Sequence, residues 1–371
     1  MTTITATSTT STITWSRARK TCGRRRAIRL SEYDPDMLMK PLLVQPRALL
    51  RGTFGKYMEG YSCMHLLRAA VNLGIFDTAS EPVTAAEVSE AKGTDAAFTE
   101  VFLDGLVQMD LLEKDGDRYV NAEPASLYLD PKSRLYQEHT LKGIFESMDS
   151  WTQLEDRLKN GPRYLPRDQV FGERWLKSIA ESCSGGEVGS VVDAVDARVD
   201  LSKYSTFMDL GGGHGLYTIG FVHRHPNLKG TVFDLPMMCP IAQENSRRYG
   251  VPIDTVAGDF YSDDLGHYDV VYSSFNLSTS DIRMADRVFG SVNKGGLLIL
   301  RRHLSGTSTN AISNVQWCLN TWDGKGKKNY GGSWLPTSEG YLARLQELGM
   351  QLLFRDKTDE ASELVYLKKP L

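Results

Sequence analysis

The segment Phe207-Met208-Asp209-Leu210-Gly211-Gly212-Gly213-His214-Gly215 decides the fold of this 371-residue chain. Its first four residues are mostly apolar and predict a buried strand, and the glycines after them predict a tight turn that leads into a helix. Because glycine has no side chain, it lets a ligand approach the backbone closely. A strand, a glycine turn and a helix in this order indicate an α/β sheet with a ligand site at the turn.

The sequence around this turn alternates between strand and helix patterns. The predicted strands are Thr206–Leu210, Thr231–Asp234, Ile253–Ala257, Tyr268–Ser273, Leu297–Arg301, Gln351–Arg355 and Leu364–Leu367. The alternation with helices predicts parallel pairing, and the last two strands would close the sheet in an antiparallel sense. Ligands of such sheets bind at the carboxyl ends of the strands, beside the switch in strand order.

Acidic residues end three successive predicted strands. Asp209 lies just ahead of the glycine turn, where a carboxylate would oppose a bound pyrophosphate but favour a cationic group. Asp234 ends the second strand, 19 residues after Gly215, where a carboxylate can accept both hydroxyls of a ribose. Asp259 and Phe260 follow the third strand, where a carboxylate can accept from an adenine amine and a ring can cover the base.

Each of these acids, taken alone, is equally typical of a helix cap or of an exposed surface. Together they predict a ligand that has an ammonium group, a ribose and an adenine but no phosphate, which is S-adenosylmethionine. The glycine spacing agrees, because Leu216 stands where a dinucleotide fingerprint has its third glycine.

Residues 53–125 predict a different module. Apolar residues at helical spacing are followed by residues 111–120, in which an Asp-Gly turn joins two short strands. Helices followed by such a hairpin are typical of a winged helix. DNA binding needs a basic surface, yet this segment has 5 basic and 13 acidic residues. We therefore predict a dimerisation or lid module without nucleic acid, and a DNA-binding regulator is the weakest alternative.

The first 50 residues cannot build a core. Eleven of residues 2–16 are Ser or Thr, and seven basic side chains follow between Arg17 and Arg29. This composition indicates a disordered extension or, alternatively, an organelle transit peptide. No apolar run reaches the roughly 18 residues of a membrane span, and the cysteines form no paired motif for zinc or disulfides. We expect a cytoplasmic protein, or an organellar one if the head is a transit peptide, without a metal.

Four motifs carry a resemblance to a known family. They are residues 208–215, residues 225–236 (His-Pro-Asn-Leu-Lys-Gly-Thr-Val-Phe-Asp-Leu-Pro), Gly258–Phe260 and residues 332–339. The chain resembles the class I S-adenosylmethionine-dependent methyltransferases, specifically the cation-independent O-methyltransferase family of the caffeate and polyketide-tailoring type. The resemblance implies a Rossmann-like seven-stranded sheet over residues 166–371 and a winged-helix dimerisation domain over residues 51–165. It also implies a homodimer and a small-molecule substrate.

The resemblance assigns roles to individual residues as well. The implied cofactor contacts are Gly211 and Gly213 for the methionine part, Asp234 for the ribose, and Asp259 with Phe260 for the adenine, alongside Asp209. The family's lysine near the fourth strand, often a cofactor contact, corresponds to Ser274. Its general-base histidine, in a Leu-His-Asp-Trp sequence, corresponds to Ser278.

Serine at position 278 leaves methylation without the family's base. A neutral phenol with a pKa near ~10 is a poor nucleophile until it loses its proton, and a serine hydroxyl is not a base at pH 7. Three interpretations follow: the substrate ionises by itself, another histidine is the base, or the chain keeps the cofactor but catalyses a pericyclic, decarboxylating or hydroxylating step. His303, after the fifth strand, is the first substitute and His139 the second, while His214 would lie closer to the cofactor.

Aromatic and amide side chains predict where the substrate binds. They are the aromatics from Phe145 to Trp151, together with Asn314, Trp317, Asn320 and Trp322. Such a pocket suits a planar or hydrophobic small molecule, although the same spacing is typical of a plain helical core. Lys325, Lys327 and Lys328 belong either to a solvated loop or to a basic segment that attracts a carboxylate substrate. The predicted function is methylation of oxygen or carbon on a small hydrophobic or aromatic metabolite.

Overall fold

A computed structural model of the chain describes residues 48–170, 172–279, 281–304, 311–322, 338–360 and 362–371. Most of the predicted basic head, residues 1–47, and the lysine run at 325–328 lie outside the described residues. The chain divides into two compact units, residues 1–62 and 63–371. The described part of the first unit is a π-helical segment, Ala48–Thr53, and the beginning of helix α1, Phe54–Leu73.

The second unit begins with a small helical module that carries three antiparallel strands. Its elements are α2 (Ile75–Thr78), β1 (Val83–Thr84), α3 (Ala85–Lys92), α4 (Ala96–Gln108), β2 (Leu112–Asp115), β3 (Arg118–Asn121) and α5 (Glu123–Tyr128). The strand order is β1-β3-β2. A capping box between Thr84 and Glu87 starts α3, because each side chain accepts a backbone N–H of the other residue, at 3.2 Å and 2.7 Å. Helices followed by this hairpin confirm the predicted winged-helix module.

Further helices connect this module to the large sheet. They are α6 (Glu138–Trp151), α7 (Leu154–Asn160), α8 (Arg167–Val170), α9 (Glu173–Ser182) and α10 (Glu187–Asp196), with strand β4 (Tyr164–Leu165) before α8. Gly161 ends α7 with φ +90°. Helix α6 packs against α9, and Arg174 on α9 pairs with Glu146 on α6 at 2.9 Å.

A seven-stranded sheet forms the remainder of the second unit. Its strands are β5 (Thr206–Leu210), β6 (Lys229–Asp234), β7 (Asp254–Ala257), β8 (Tyr268–Ser274), β9 (Val292–His303), β11 (Gln351–Lys357) and β12 (Ser362–Lys368). The elements between them are α11 (Leu216–Arg224), α12 (Cys239–Tyr249), α13 (Ala285–Ser291), α14 (Ala311–Leu319), β10 (Thr321–Trp322) and α15 (Ser338–Glu347). The strand order is β11-β12-β9-β8-β5-β6-β7. Strands β5 to β9 pair in parallel, and β12 is antiparallel to β9 and β11.

The switch in strand order lies between β5 and β8. The chain continues from β5 to β6 on one side and later returns to β8 on the other, so the carboxyl ends of β5 and β8 diverge into a crevice. Both faces of the sheet are covered, which explains the nearly continuous apolar runs in the strands. On one face the ring of Phe207 lies 4.9 Å from that of Phe221, and on the other Met208 packs in a cluster with Leu298 and Tyr341.

All seven predicted strands are confirmed, and one is much longer than predicted. Strand β9 begins at Val292 rather than Leu297. A Cβ on Gly296 would lie 2.6 Å from the carbonyl oxygen of Asp269, so this glycine allows close backbone packing inside the strand. Among the described residues, no helix is long and apolar enough to cross a membrane.

Candidate cofactor and active site

The glycine turn after β5 adopts a backbone that side chains disfavour. Gly211, Gly213 and Gly215 have φ angles of +72°, +49° and +73°, values that glycine adopts without steric cost. A Cβ on Gly211 would lie 2.5 Å from Nδ2 of Asn276, and one on Gly213 would lie 2.7 Å from Cδ1 of Leu176. The turn therefore presents bare backbone at the carboxyl edge of the sheet.

Asp234 joins this turn to the end of β6. The backbone N–H of Gly213 donates to its Oδ2 at 2.8 Å, and the N–H of Leu235 donates to its Oδ1 at 2.7 Å. The N–H of Gly258 donates to the carbonyl of Asp234 at 2.9 Å, which brings the end of β7 alongside. Three strand ends thus meet around one carboxylate that two backbone donors hold in place.

Asp259 and Phe260 follow β7 at the same edge and are partly exposed. The N–H of Tyr261 donates to Oδ1 of Asp259 at 2.9 Å, and Nε of Arg287 donates to the carbonyl of Phe260 at 2.8 Å. The rings of Phe260 and Tyr261 are 4.9 Å apart. These bonds fix the loop so that a carboxylate and an aromatic ring lie beside each other near Asp234.

Asp209 lies beneath the turn rather than at its surface. It is 1% exposed, and Oγ1 of Thr218 donates to its Oδ2 at 3.0 Å. Burial raises the pKa of Asp209 to about 7, and the nearby charge of Asp234 acts in the same direction. Its carboxyl group is therefore only partly ionised at neutral pH, and its electrostatic attraction for a cation is weaker than an exposed carboxylate would exert.

Asn276 fills the switch point between β5 and β8. Its Nδ2 donates to the carbonyl of Leu210 at 2.7 Å, and its Oδ1 accepts from the backbone N–H and the hydroxyl of Ser278 at 2.9 Å and 2.5 Å. Oγ of Ser273 lies 2.6 Å from Oγ of Ser278, and both serines are fully buried. The Ser278 hydroxyl is thus held inside a polar network, and Ser274 precedes it at the end of β8.

Two protein-family models together match most of this chain. Residues 56–131 match the O-methyltransferase dimerisation domain, and residues 167–315 match the O-methyltransferase domain. An uncharacterized protein of Methanocaldococcus jannaschii is 30% identical over 329 residues, which cover 85% of this chain and 88% of that protein. The chain belongs to the O-methyltransferase family.

Two other proteins extend this comparison. The N,N-dimethyltransferase OxyT of Streptomyces rimosus is 28% identical over 335 residues, 85% of this chain and 94% of OxyT. The crystal structure of human N-acetylserotonin methyltransferase, solved in complex with S-adenosylmethionine, matches the fold with a TM-score of 0.66 and 23% identity. It covers 90% of this chain and 100% of the human chain. The chain is an S-adenosylmethionine-dependent methyltransferase.

The carboxyl edge suits the cofactor of this O-methyltransferase family. A side chain at Gly211 or Gly213 would collide with Asn276 or Leu176, so this tight turn at the strand end requires glycine at both positions. The carboxylate of Asp234 stands at this turn, where it would repel a phosphate but can accept hydrogen bonds from hydroxyls.

The three histidines proposed from the sequence lie in different surroundings. The imidazole of His303 at the end of β9 lies 4.6 Å from the ring of Phe275, and partial desolvation lowers its pKa, which favours the neutral form. His214 is 4% exposed beneath the glycine turn, and burial lowers its pKa to about 4. The ring of His139 lies 2.6 Å from Oε1 of Glu181.

Glu181 caps the start of helix α6, where His139 lies. Its carboxylate also accepts the backbone N–H groups of His139 and Thr140 at 3.0 Å and 2.9 Å, as a capping residue does. The pair lines a polar cavity of about 250 Å³ together with Lys177 and Arg248. Of the two proposed substitute bases, only His303 lies on the strand next to β8, beside the segment that holds Ser278.

The predicted substrate pocket involves helices α6 and α14, which lie against each other. Nε2 of Gln316 donates to Ser147 at 2.7 Å, and Nδ2 of Asn320 donates to Ser150 at 2.8 Å. Phe145 is 8% exposed, so it belongs largely to the core. The side chains of Asn314, Trp317 and Trp322 lie outside what the structure describes.

Sequence reasoning missed two polar residues at this edge, Asn276 and Arg301. An asparagine directly after a strand end, and an arginine inside an apolar strand, are the signals that could have indicated them. Both side chains form hydrogen bonds with residues that are distant in sequence.

Proposed function

We propose that this methyltransferase acts on an oxygen or carbon atom of a small hydrophobic or aromatic metabolite whose acceptor group ionises without help from a base. The observation that supports this is the Ser278 hydroxyl, which is fully buried and bonded to Asn276 and Ser273. A serine hydroxyl is not a base at neutral pH, so it cannot take the proton of an acceptor.

The cofactor contacts are part of the same proposal. Gly211 and Gly213 would lie along the methionine part, Asp234 would accept from the ribose hydroxyls, and Asp259 with Phe260 would bind the adenine. Ser274 would take the place of the family's lysine. Asp209 would act from beneath the turn, since its burial prevents direct contact in this conformation.

Positioning is what the chain itself contributes to such a reaction. S-adenosylmethionine supplies a methyl group on a positively charged sulfur. Residues of this chain would hold the acceptor in line and exclude water, which by itself accelerates a reaction between two bound groups strongly. His303 lies at the end of the strand next to β8. Its neutral imidazole would be the base for an acceptor that still carries its proton.

We also propose a homodimer built on the module at residues 51–165, with residues 166–371 as the catalytic domain. The match of residues 56–131 to a dimerisation domain supports this arrangement. The names of the relatives support a small-molecule acceptor: one is an N,N-dimethyltransferase and another methylates N-acetylserotonin.

A transfer assay tests the proposal. The purified protein is incubated with methyl-labelled S-adenosylmethionine and a panel of acidic phenols, enols and naphthoic acids, and both labelled product and S-adenosylhomocysteine are measured. We expect label transfer, and we expect Ser278→Ala to keep turnover within about threefold, since Ser278 is not the base. Conversion of an acceptor without S-adenosylhomocysteine would instead support a non-methylating relative. A Ser278→Ala loss beyond a hundredfold, in a folded variant, would contradict the assignment.

A further inference from the structure

Arg301 is a buried cation at the carboxyl edge of the sheet. It lies near the end of β9, in register with Ser274 on β8, and is 8% exposed. Its Nη1 donates to the hydroxyl of Tyr217 at 2.5 Å, and its Nη2 donates to Oε1 of Glu187 at 2.8 Å. Its Nε–H donor is buried and is left without a hydrogen-bond partner among the described residues.

An aromatic ring links Arg301 to His303. The ring of Phe275 lies 4.6 Å from the guanidinium carbon of Arg301 and 4.6 Å from the imidazole of His303. Phe275 is 40% exposed and has φ +49°, a conformation that costs a non-glycine residue about 1–2 kcal/mol. Its N–H donates to the carbonyl of Arg301 at 2.9 Å, which helps to hold it there. Strain of this kind often accompanies binding sites.

The position of Arg301 places it next to the proposed reaction centre. Phe275 precedes Asn276, whose side chain lies against Gly211 of the glycine turn. Tyr217 is in the first turn of α11, the helix that this turn opens. The guanidinium, the ring and the turn therefore belong to one continuous edge of the sheet, built from the ends of β5, β8 and β9.

The charges around Arg301 are suited to an anion. A guanidinium stays protonated in proteins, so it cannot serve as a base, but its N–H groups bind carboxylates and other oxyanions well. The side chain of Glu187 is 39% exposed, whereas that of Arg301 is 10% exposed. Solvent thus screens the glutamate more than the arginine, and a buried cation with an unsatisfied N–H favours a second anionic partner.

We propose that Arg301 binds the methyl acceptor as an anion, and that the acceptor therefore carries a carboxylate, enolate or phenolate. This inference rests on the proposed function and explains how it operates without a base at Ser278. An anionic acceptor needs no proton removed in the enzyme. Its lone pair forms the bond to the methyl carbon, the carbon–sulfur bond breaks with its electron pair going to sulfur, and the two opposite charges cancel.

Two matched probes test the inference by titration calorimetry. They are 3-hydroxybenzoate, an anion, and 3-hydroxybenzamide, its neutral counterpart, each titrated into the full chain saturated with S-adenosylhomocysteine. We expect the wild-type protein to bind the benzoate about tenfold more tightly than the benzamide. Arg301→Gln should weaken benzoate binding about tenfold and leave benzamide binding within twofold.

Glu187→Gln gives a test of opposite sign that does not depend on folding of the arginine variant. Because the partly exposed glutamate is the counter-charge of Arg301, its neutralisation should tighten benzoate binding about threefold or more. Arg224→Gln is the control, since Arg224 pairs with Asp193 at the far end of α11 and is 49% exposed. This control should change neither affinity.

Three results would overturn the inference: equal affinity of the wild-type protein for the two probes, no binding of either probe, or benzoate binding that neither Arg301→Gln nor Glu187→Gln alters. The affinity for S-adenosylhomocysteine is measured first in the same series. Its failure to bind would contradict the proposed function itself. If S-adenosylhomocysteine binds normally but the protein has equal affinity for the charged and the neutral probe, only the role of Arg301 is contradicted.

Discussion

The backbone N–H of Gly213 donates a 2.8 Å hydrogen bond to Oδ2 of Asp234, across 21 residues of sequence. This bond ties the turn after β5 to the end of β6 and fixes a carboxylate where a ribose is proposed to bind. The relationship makes Asp234 and Gly213 the two positions at which the proposed cofactor site can be tested most directly.

Asp234→Asn should weaken the binding of S-adenosylhomocysteine about tenfold or more. Asparagine keeps the size of the side chain but loses the charge, and hydrogen bonds to charged groups contribute about 1.5–3 kcal/mol. Calorimetry measures the affinity. Asp254→Asn is the control, because Asp254 is an exposed aspartate at the opposite end of the neighbouring strand β7. Equal affinities for the two variants would remove Asp234 from the site.

Gly213→Ala should lower both stability and cofactor affinity. The φ angle of +49° costs an alanine about 1 kcal/mol, and the new Cβ would lie 2.7 Å from Leu176. Urea denaturation should show a loss of about 2 kcal/mol.

Gly250→Ala separates the two causes of this loss. Gly250 has φ +67°, but nothing lies within 4 Å of a Cβ placed on it. Its substitution should therefore cost only the backbone strain, about 1 kcal/mol, and leave S-adenosylhomocysteine binding unchanged. The idea of a crowded turn fails if both alanine variants lose the same stability and bind equally well.

Asp209→Asn should change how stability depends on pH. The folded protein keeps the proton on Asp209 up to its pKa of about 7, whereas the unfolded chain loses it near pH ~3.9. Between these values the folded state binds more protons, so this group lowers the free energy of unfolding as pH rises. The variant minus wild-type difference should grow from pH 4 to pH 7 and then level off at about 4 kcal/mol.

His214 has the opposite effect, so the difference between variants must be measured rather than the wild-type curve. Its folded pKa of about 4 lies below the unfolded value near ~6.5, so its contribution to stability is lost as pH falls through this range. Urea denaturation at several pH values from 4.5 to 8 gives the comparison. A difference that stays constant over this range would show that Asp209 is ionised throughout.

Arg302→Met should destabilise the fold by about 2–3 kcal/mol, because it removes one partner of a buried carboxylate. Arg302 is 1% exposed and Glu363 is 3% exposed, and Nη2 of the arginine lies 2.9 Å from Oε1 of the glutamate. Arg355 also contacts Glu363 and limits the loss. Adding Glu363→Gln should recover part of the stability in urea denaturation.

An exposed pair provides the reference for this measurement. Arg344 pairs with Asp286 at 2.8 Å and is 38% exposed, so Arg344→Met should change stability by less than about 1 kcal/mol. If both arginine variants lost the same amount, burial of the Arg302 network would not be what stabilises it.

The sequence by itself determined the sheet and which acidic residues lie at its carboxyl edge. Strands β5 to β8 were predicted to within two residues, because their apolar runs and the glycine turn are local patterns. The acids at the ends of β5, β6 and β7 were also visible, since parallel strands bring their carboxyl ends to one edge.

Only the tertiary structure decided how those groups are charged and which others join them. The sequence predicted Asp209 as a ligand for a cation, but burial raises its pKa, and burial depends on how α11 packs over β5. Arg301 meets Glu187 across 114 residues and Asn276 meets Leu210 across 66. No pattern within a short window encodes such contacts, because they exist only once the strands and helices have packed together.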